Sequence, residues 1–349
     1  MKEKDYLVCI HCMTYNHASY IEDAMNGFCM QQTTFPFVAI VVDDASTDGE
    51  PEVIKTYLNT HFDMVNARQW ESDDAVFIEA HHKENLACTF AVVLLKYNFW
   101  QAKKGKEALI KEWSNTRYVA ICEGDDYWTA PSKLQKQIDF LERHQDYSLC
   151  AHAVNYIQDG IIIKTDRISE CECDLSLQDL IVRGGDFLST PSLVFRLECE
   201  KIIPHFRRVA KVGDYPLVLH MGIMGKVHYF PMIMGNYRYQ SVGSWSQRNS
   251  GEKKYDYFLN EVEWLEEFNQ ETKFKFDAAV KYRIALFAKI LLFRGIISED
   301  TFRKYLKYAN IFRLKREYRN EYFWLIVTYK YNKQYQSVCK IWRNILKFI

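Results

Sequence analysis

Two pairs of adjacent aspartates are the residues of this chain best suited to chemistry. Asp43-Asp44 and Asp125-Asp126 each follow an apolar segment, and a third acid, Asp214, comes directly after Gly213. Carboxylates gathered at one place repel each other unless a cation binds there, and oxygen ligands suit Mg²⁺ or Mn²⁺. A single Asp at such a position is more often a turn or helix-cap residue, so the argument depends on the combination.

The segments that precede these acids are predicted strands of one sheet. The apolar runs Leu7–Met13, Phe37–Val42, Ala75–Ala80 and Tyr118–Cys122 alternate with segments of helical periodicity. Such alternation predicts an α/β fold, with a mostly parallel, Rossmann-like sheet and helices on both faces. Ligands bind such sheets outside the carboxyl ends of the strands. We therefore expect both aspartate pairs at one edge of the sheet.

The predicted helices divide the chain into two regions. Leu86–Trp100 and Lys106–Trp113 are predicted helices within the first region, and from about Lys253 the chain is predicted to be helical to its end. We place one domain over residues 1–250 and a C-terminal helical region, basic and aromatic, over residues 251–349.

The composition excludes several classes of protein. With 349 residues, 48% of them hydrophobic, the chain can build a large core, which excludes intrinsic disorder. Its longest apolar runs are shorter than the ~18 residues of a membrane span, and its N-terminus does not resemble a signal peptide.

Most of the ten cysteines lie in apolar runs, as expected of reduced thiols in a cytoplasmic protein. Cys9-x-x-Cys12 lacks a second pair of matching spacing, which disfavours zinc.

The net charge of zero conceals a basic tail. Residues Thr301–Ile349 contain twelve Lys or Arg and two Glu, together with many aromatics. Such a tail can pack on the rest of the chain, or it can bind an anionic membrane surface. Nucleic-acid binding is disfavoured because no recognised module accompanies it. We expect a cytoplasmic protein, and the membrane interpretation adds peripheral attachment to the inner face of the plasma membrane.

The common phosphate-binding and hydrolase motifs are missing. No G-x-G-x-x-G follows the first predicted strand, which disfavours a Rossmann dinucleotide site. No G-x-x-x-x-G-K-[ST], H-E-x-x-H or G-x-S-x-G is present either.

The remaining motifs form an ordered set that resembles a known family. The chain is similar to the inverting nucleotide-sugar glycosyltransferases of family 2, which have the GT-A fold, and most similar to the bacterial enzymes that build surface polysaccharides. The motifs that carry the resemblance, in the family's order, are Thr14-Tyr15-Asn16-His17, Val42-Asp43-Asp44-Ala45-Ser46-Thr47-Asp48-Gly49, Glu123-Gly124-Asp125-Asp126-Tyr127-Trp128, Ser189-Thr190-Pro191-Ser192-Leu193-Val194-Phe195-Arg196, Gly213-Asp214-Tyr215-Pro216-Leu217 and Tyr237-Arg238.

The resemblance implies a role for each matching residue. The backbone of Met13, Thr14 and Tyr15 and the carboxylate of Asp44 would hold the nucleotide base, and Asp125 would lie near the ribose and the water shell of the metal. Asp126 would bind Mn²⁺ or Mg²⁺ directly. Asp214 would be the catalytic base.

Three further positions match the family, and two of them have two interpretations each. Lys83 falls loosely where the family has a contact to the donor. Thr190 would contact the donor sugar or bond to its own segment, and Arg238 would approach the diphosphate or pair with a surface acid. Relatives often have Tyr-Arg-x-His where this chain has Tyr237-Arg238-Tyr239-Gln240, so a role for that histidine does not carry over. The Q-x-x-R-W signature of processive synthases is missing, which favours addition of one sugar at a time.

These features predict a metal-dependent, inverting glycosyltransferase. It would move a sugar from a nucleoside-diphosphate donor, UDP-linked by the resemblance, to a hydroxyl of a glycan or lipid-linked acceptor. A divalent cation stabilises the departing diphosphate, and one carboxylate takes the proton of the acceptor hydroxyl. Two other hypotheses remain open, namely a sugar nucleotidyltransferase and a non-catalytic protein that binds nucleotide sugars or carbohydrates.

Overall fold

The computed structural model describes residues 6–241, 254–293, 295–298 and 300–302, together with residues 316 and 318. The chain forms two compact units. We call Met1–Leu175, Gly185–Ile202 and Met221–Ser250 the sheet unit, and Ser176–Gly184, Ile203–His220 and Gly251–Ile349 the helical unit. We predicted one boundary near residue 250, whereas the structure groups two earlier segments with the residues beyond it. Most of the basic tail lies outside the described residues, as does the segment Gly243–Ser246 that follows the Tyr237-Arg238 motif.

Twelve strands form one sheet. They are β1 (Val8–Thr14), β2 (Phe37–Asp43), β3 (Arg68–Glu71), β4 (Ala75–His81), β5 (Cys88–Leu95), β6 (Tyr118–Ile121), β7 (Tyr127–Trp128), β8 (Tyr147–Gln158), β9 (Ile161–Asp166), β10 (Cys173–Leu175), β11 (Val194–Arg196) and β12 (Lys226–Arg238). The order across the sheet is β10-β12-β8-β11-β6-β1-β2-β5-β4-β3, with β7 paired to β12 and β9 to β8.

Ten helices are described. They are α1 (Ile21–Cys29), α2 (Glu50–His61), α3 (Phe99–Ala102), α4 (Glu107–Ile110), α5 (Lys133–Arg143), α6 (Leu177–Arg183), α7 (His205–Val209), α8 (Asp214–Met224), α9 (Lys254–Glu271) and α10 (Asp277–Phe293). Three short 3₁₀ turns lie between α6 and α7. Among the described residues, no helix is both long and apolar enough to cross a membrane.

The centre of the sheet is parallel, as predicted. Strands β6, β1, β2 and β5 run in the same direction side by side. Every residue of β2 and β5 is buried, because a parallel strand covered on both faces is apolar on both sides. The outer strands β3 and β4 and the strand β11 pair antiparallel to their neighbours. The predicted α/β class is confirmed, with a mixed sheet whose core is parallel.

One predicted helix is wrong. We expected a helix over Leu86–Trp100, whereas Cys88–Leu95 is strand β5, paired to β2 and β4. The segment Cys88–Leu95 is a continuous apolar run that includes β-branched and aromatic residues, and such a run suits a strand buried on both faces. The predicted range overlaps a helix only at Phe99 and Trp100, the first two residues of α3.

The helical unit has its own core. Trp264, from α9, stacks on Phe206 of α7 and contacts Tyr215 of α8 edge-on, with ring centroids 5.0 Å apart in the second pair. The Tyr215 hydroxyl donates to the Ile181 carbonyl oxygen at 2.7 Å. Arg283 pairs with Glu261 at 3.1 Å, and both side chains are largely buried. These contacts fix the first turn of α8.

The cysteines described by the structure are all free. Six of these nine are buried, as expected for cysteines that lie in apolar runs.

Candidate active site

The carboxyl ends of three neighbouring parallel strands form the candidate site. Strands β6, β1 and β2 lie side by side, and Thr14 at the end of β1 is paired with Asp43 at the end of β2. The Asp44 N–H donates to the Thr14 carbonyl oxygen at 3.0 Å, and the Gly124 N–H donates to that of Met13 at 3.1 Å. The segments carrying both aspartate pairs therefore meet at the end of β1, as predicted.

A buried glutamate joins the loops that follow β1 and β2. Glu50 is fully buried at the start of α2, and its Oε1 accepts a hydrogen bond from the Thr14 hydroxyl. Its Oε2 accepts from the His17 N–H and from the Ser46 hydroxyl, both at 2.8 Å. Burial raises the pKa of Glu50, and these hydrogen bonds oppose the rise. Glu50 therefore joins the end of β1 to the loops that follow β1 and β2.

Asp44 holds the segment that follows β5. Its Oδ1 accepts from the Phe99 N–H at 2.7 Å, its Oδ2 accepts from the Trp100 N–H at 3.3 Å, and the Lys106 ammonium lies 3.1 Å from Oδ2. The carboxylate thus sits at the N-terminal end of α3, where backbone N–H groups lack partners within the helix. A carboxylate has about four lone-pair sites, and these three donors leave capacity for one more.

Asp125 and Asp126 are both buried beneath the end of β12. Asp126 is 2% exposed, and its Oδ1 accepts from the Arg238 N–H at 2.8 Å. The Oδ2 of Asp125 accepts from the Ser241 hydroxyl at 2.8 Å and lies 3.8 Å from His17 Nε2. Burial raises the pKa of Asp126 well above its ordinary value, and the neighbouring Asp125 carboxylate raises that pKa further. A bound cation would oppose both effects because it stabilises the ionised carboxylates.

The Arg238 side chain braces the loop after β6. Its guanidinium donates to the Asp125 carbonyl oxygen at 2.7 Å and forms an ion pair with Asp23 in α1. It also lies over the rings of Tyr20 and Tyr127, 4.9 and 4.5 Å from their centroids. Of the two interpretations of Arg238, the structure shows the pairing with an acid.

The aspartates after β6 suit a divalent cation that a substrate helps to bind. Within the described ranges, no group of three or more His, Cys, Asp or Glu is arranged to hold a metal ion. Mg²⁺ is usually bound by one or two carboxylates together with substrate phosphates. A pair of adjacent buried carboxylates, one of which has a raised pKa, fits this chemistry.

A tryptophan connects the loop after β6, which carries Asp125 and Asp126 and which we call the aspartate loop, to the turn that carries Thr190. Trp128, which is 1% exposed, donates from Nε1 to the Pro191 carbonyl oxygen at 2.8 Å and packs edge-on against Phe28. Thr190 is half-buried, and its carbonyl oxygen accepts from the Leu193 N–H at 3.1 Å. Trp128 is thus a core residue, and it holds the Thr190 turn beside the loop after β6.

Asp214 lies in the helical unit as the first residue of α8. Its side chain is half-buried, and its Oδ1 accepts from the Tyr215 N–H at 2.7 Å. The carboxylate therefore interacts with the first turn of its helix, as in the helix-cap interpretation of this residue. Because Tyr215 is locked into the core of the helical unit, the position of Asp214 within that unit is well defined.

Lys83 is not brought to this site. Its ammonium donates to the carbonyl oxygens of Asn59 and Thr60 at 3.1 and 2.7 Å, at the C-terminal end of α2. Strand β4, which precedes it, runs antiparallel to β5, so its end lies at the amino edge of the parallel strands. The expected donor contact of Lys83 does not agree with this position.

Sequence reasoning missed several residues that support the site. Glu50 bonds to Thr14, and Lys106 pairs with Asp44. Asp23 pairs with Arg238, and Ser241 bonds to Asp125. His17 belonged to a quoted motif but received no role, although it lies beside Asp125. Glu50 carried a signal, since an acid in the first turn of a helix after a Ser-Thr-Asp-Gly turn is placed to bond to nearby backbone. Lys106, Asp23 and Ser241 are distant in sequence from the residues they contact, and no local sequence pattern predicts these contacts.

Comparison with known proteins agrees with the geometry. Residues 9–72 match the family described as Glycosyl transferase family 2. The chain is 30% identical over 247 residues, 70% of its length, to uncharacterized proteins of Mycobacterium bovis and Mycobacterium tuberculosis, and it spans 62% of their length. It is also 29% identical over 155 residues to TuaG of Bacillus subtilis, named a putative teichuronic acid biosynthesis glycosyltransferase, covering 44% of this chain and 49% of that protein.

Solved structures share the fold. Residues 1–349 of S. aureus TarS, in a complex with UDP-GlcNAc, superpose with a TM-score of 0.53 at 14% identity, covering 86% of this chain and 78% of that one. At this identity the likeness concerns the fold alone. It supports the GT-A architecture expected from the sequence motifs.

Proposed function

We propose that the chain is an inverting, metal-dependent glycosyltransferase of family 2 that acts in surface polysaccharide synthesis, a proposal supported by the family match over residues 9–72 and the similarity to TuaG. It would move a sugar from a nucleoside-diphosphate donor, UDP-linked, to a hydroxyl of a glycan or lipid-linked acceptor. The observation that carries the proposal is the meeting of the Asp44 and Asp125-Asp126 segments at the end of β1.

The donor nucleotide would lie on the backbone of Met13, Thr14 and Tyr15. This backbone is fixed from below by Glu50 and from the side by the Asp44 segment. The lone-pair capacity that remains on Asp44 allows it to accept from a ring N–H of a pyrimidine base. Asp125 and the Thr190 turn would lie farther along the donor, toward the ribose and the sugar.

The diphosphate of the donor would lie near Asp126, which would bind the metal ion. When bound there, Mn²⁺ or Mg²⁺ supplies positive charge that stabilises the negative charge growing on the leaving diphosphate. The Asp126 carboxylate accepts from the Arg238 N–H at the end of β12, and the Asp125 carboxylate accepts from the Ser241 hydroxyl. Both carboxylates are therefore positioned before any ligand binds, which lowers the cost of binding.

The reaction would be a single displacement. The acceptor hydroxyl oxygen attacks the anomeric carbon, the bond from that carbon to the diphosphate oxygen breaks, and the acceptor proton passes to Asp214 as general base. Attack opposite the leaving group inverts the configuration, and no protein nucleophile is needed. The assignment of the base rests on the family motif that Gly213-Asp214-Tyr215-Pro216-Leu217 resembles.

Two substitutions separate binding from transfer. Asp126→Ala should weaken Mn²⁺-dependent binding of UDP at least tenfold, because the metal loses its carboxylate. Asp214→Asn should leave that binding unchanged and lower kcat by about 10²- to 10⁴-fold, because a general base typically contributes that much. Calorimetry with and without Mn²⁺ measures binding, and release of UDP from a panel of UDP-sugars measures transfer.

Asp73→Asn is the matched control, because this aspartate is exposed at the turn before β4 and should change neither readout. Full transfer activity in Asp214→Asn would show that another group is the base. Release of pyrophosphate instead of a nucleoside diphosphate would identify a nucleotidyltransferase and overturn the proposal.

A further inference from the structure

Three tyrosines lie together beside the aspartate loop. Tyr156 is near the end of β8 and Tyr237 is near the end of β12, and the two residues are paired in the sheet. Tyr239 directly follows β12, and its N–H donates to the Ile157 carbonyl oxygen at 2.8 Å. We call Tyr156, Tyr237 and Tyr239 the tyrosine group. None of the three has a part in the donor binding or the proton transfer proposed above.

Strand β12 places Tyr237 next to the aspartate loop. Asn236 is paired with Tyr127 of β7, and the Arg238 N–H donates to the Asp126 carboxylate at 2.8 Å. Tyr237 lies between these two positions of β12. Successive residues of a strand face opposite sides of the sheet, so the Tyr237 side chain faces away from the Arg238 guanidinium.

The other strand joins the tyrosine group to the turn that carries Thr190. The Tyr156 hydroxyl lies 3.4 Å from Ser189 Oγ, and Ser189 directly precedes Thr190. The Ser189 carbonyl oxygen accepts from the N–H and the hydroxyl of Ser192, at 2.9 and 2.6 Å, which fixes the turn. The tyrosine group therefore lies between the aspartate loop and the Thr190 turn.

The three rings are tilted and do not stack on one another. The centroids of Tyr156 and Tyr237 are 4.9 Å apart with an interplanar angle of 51°, and those of Tyr156 and Tyr239 are 6.4 Å apart at 45°. Rings tilted in this way do not cover each other's faces. Tyr156 and Tyr237 are half-buried, and Tyr239 is 38% exposed. Part of this aromatic surface is therefore open to a ligand.

Polar groups surround the aromatic surface. The Lys164 ammonium lies 5.0 Å from the centroid of the Tyr156 ring and pairs with Asp166 at 2.7 Å. Burial raises the pKa of Tyr156 to about 12 and also raises the pKa of Tyr237, so both hydroxyls keep their protons at neutral pH and can donate. A sugar ring has an apolar C–H face and a rim of hydroxyls. Aromatic faces beside a few polar groups suit both parts of it.

The place of the tyrosine group favours the acceptor over the donor. The proposed donor site runs from Asp44 after β2, past the end of β1, to Asp126 after β6, and β8 and β12 lie farther in the same direction across the sheet. Attack opposite the leaving group requires the acceptor to lie on the side of the donor sugar away from the diphosphate. The tyrosine group is in that direction from the aspartate loop.

We propose that the tyrosine group is an acceptor subsite, in which Tyr156, Tyr237 and Tyr239 hold a pyranose ring of the acceptor against their faces. This inference rests on the proposed function and assigns a chemical class to the acceptor. The attacking hydroxyl belongs to a sugar ring or to its direct neighbour, and an open-chain alcohol, which has no ring face, binds weakly there.

The test measures binding of methyl pyranosides to the full chain saturated with UDP and Mn²⁺, by saturation-transfer NMR titration. At least one methyl pyranoside of glucose, galactose, mannose or N-acetylglucosamine should bind, and glycerol should not. Tyr237→Ala and the more exposed Tyr239→Ala should each raise the apparent Kd by about three- to tenfold, because one aromatic face is lost. Tyr237→Phe should keep most of the binding.

Tyr147→Ala is the matched control, because Tyr147 lies at the opposite end of β8, where its hydroxyl donates to Asp174 at 2.8 Å. It should leave the pyranoside Kd unchanged. Calorimetry with UDP and Mn²⁺ should give the wild-type Kd in every tyrosine variant.

Three results would overturn the inference while UDP binding leaves the proposed function intact. These are a wild type that binds none of the pyranosides, alanine variants that bind them as tightly as the wild type, and alanine variants that weaken binding of UDP-GlcNAc but not of UDP. The last result would assign the ring to the donor. A wild type that does not bind UDP would overturn the proposed function itself, and the inference with it.

Discussion

At the scale of single residues, close contacts under the aspartate loop leave little room for change. A Cβ at Gly124 would lie 2.2 Å from the Thr14 hydroxyl oxygen, so only glycine lets the loop after β6 approach the end of β1. Below the same loop, Lys133 is fully buried, and its ammonium lies 3.9 Å from the centroid of the Trp128 ring. Among the described residues that ammonium has no hydrogen-bond partner. Burial lowers the pKa of Lys133 to about 7.

Replacing Lys133 should therefore stabilise the protein at neutral and acidic pH. In the unfolded chain lysine titrates near pH 10.4, so the folded state binds fewer protons between about pH 10.4 and 7. Its stability falls as the pH decreases through that range and is constant below it. Lys133→Met should raise Tm by several degrees at pH 6.5 and by less at pH 9.5. Lys55→Met, at an exposed position of α2, is the control, and an equal shift at both pH values would contradict the lowered pKa.

The aspartates and Lys83 show what residue patterns can predict. Asp44, Asp125 and Asp126 were placed correctly at one edge of the sheet, because adjacent acids after apolar runs follow the ends of parallel strands. Lys83 was expected at the donor from a loose match to the family, whereas β4 runs antiparallel to β5 and ends at the opposite edge. Strand direction depends on pairing with β5, and the sequence near Lys83 does not encode it.

At the scale of elements, α2 is joined to the end of β1 through one side chain. Glu50 bonds to Thr14, His17 and Ser46, and it is the first residue of α2. If the carboxylate is removed, the loops after β1 and β2 lose these shared hydrogen bonds. These two loops are therefore joined by polar contacts, whereas β1 and β2 themselves are held by apolar burial.

Glu50→Ala should lower both stability and donor binding. Loss of a buried acceptor leaves its donors unsatisfied, which costs about 1–3 kcal/mol, and urea unfolding measures this loss. Binding of UDP should weaken as well, because Thr14 and His17 flank Tyr15 on the predicted nucleotide surface. Glu52→Ala, two residues on and exposed, should leave both measurements unchanged. Wild-type binding in a destabilised Glu50→Ala would show that the loops do not need this anchor.

Elements were predicted best where local pattern and burial agree. Helix α1 is one of the segments of helical periodicity between the predicted strands, and its apolar residues Ile21, Ala24, Met25 and Phe28 are all buried. Strand β5 was missed because an apolar run buried on both sides has no period that separates a strand from a buried helix. Pairing with β2 and β4 makes this segment a strand.

At the scale of the whole molecule, charge is distributed unevenly along the sequence. The chain has equal numbers of basic and acidic residues, and twelve of the basic ones lie between Thr301 and Ile349. A lipid-linked acceptor would make attachment to the inner membrane leaflet useful. Each basic residue near an anionic surface contributes about 1 kcal/mol of attraction.

The full chain should therefore co-sediment with anionic liposomes at low salt. Binding should decrease as the salt concentration rises from about 0.05 to 0.5 M, because screening shortens the range of the attraction. Vesicles of phosphatidylcholine alone are the control and should bind little protein. Absent or salt-insensitive sedimentation with anionic vesicles would leave packing on the rest of the chain as the role of the tail.

The contacts of β12 with the aspartate loop have a consequence during protein synthesis. The Arg238 backbone bonds to Asp126 and the Ser241 hydroxyl to Asp125, more than 110 positions later in the chain. A nascent polypeptide that has emerged only through α5 already contains both acids, but it lacks the strand that orients them. If the chain binds a nucleotide as proposed, it can do so only late in translation. Nascent chains stalled on the ribosome before residue 241 has emerged should therefore not bind UDP.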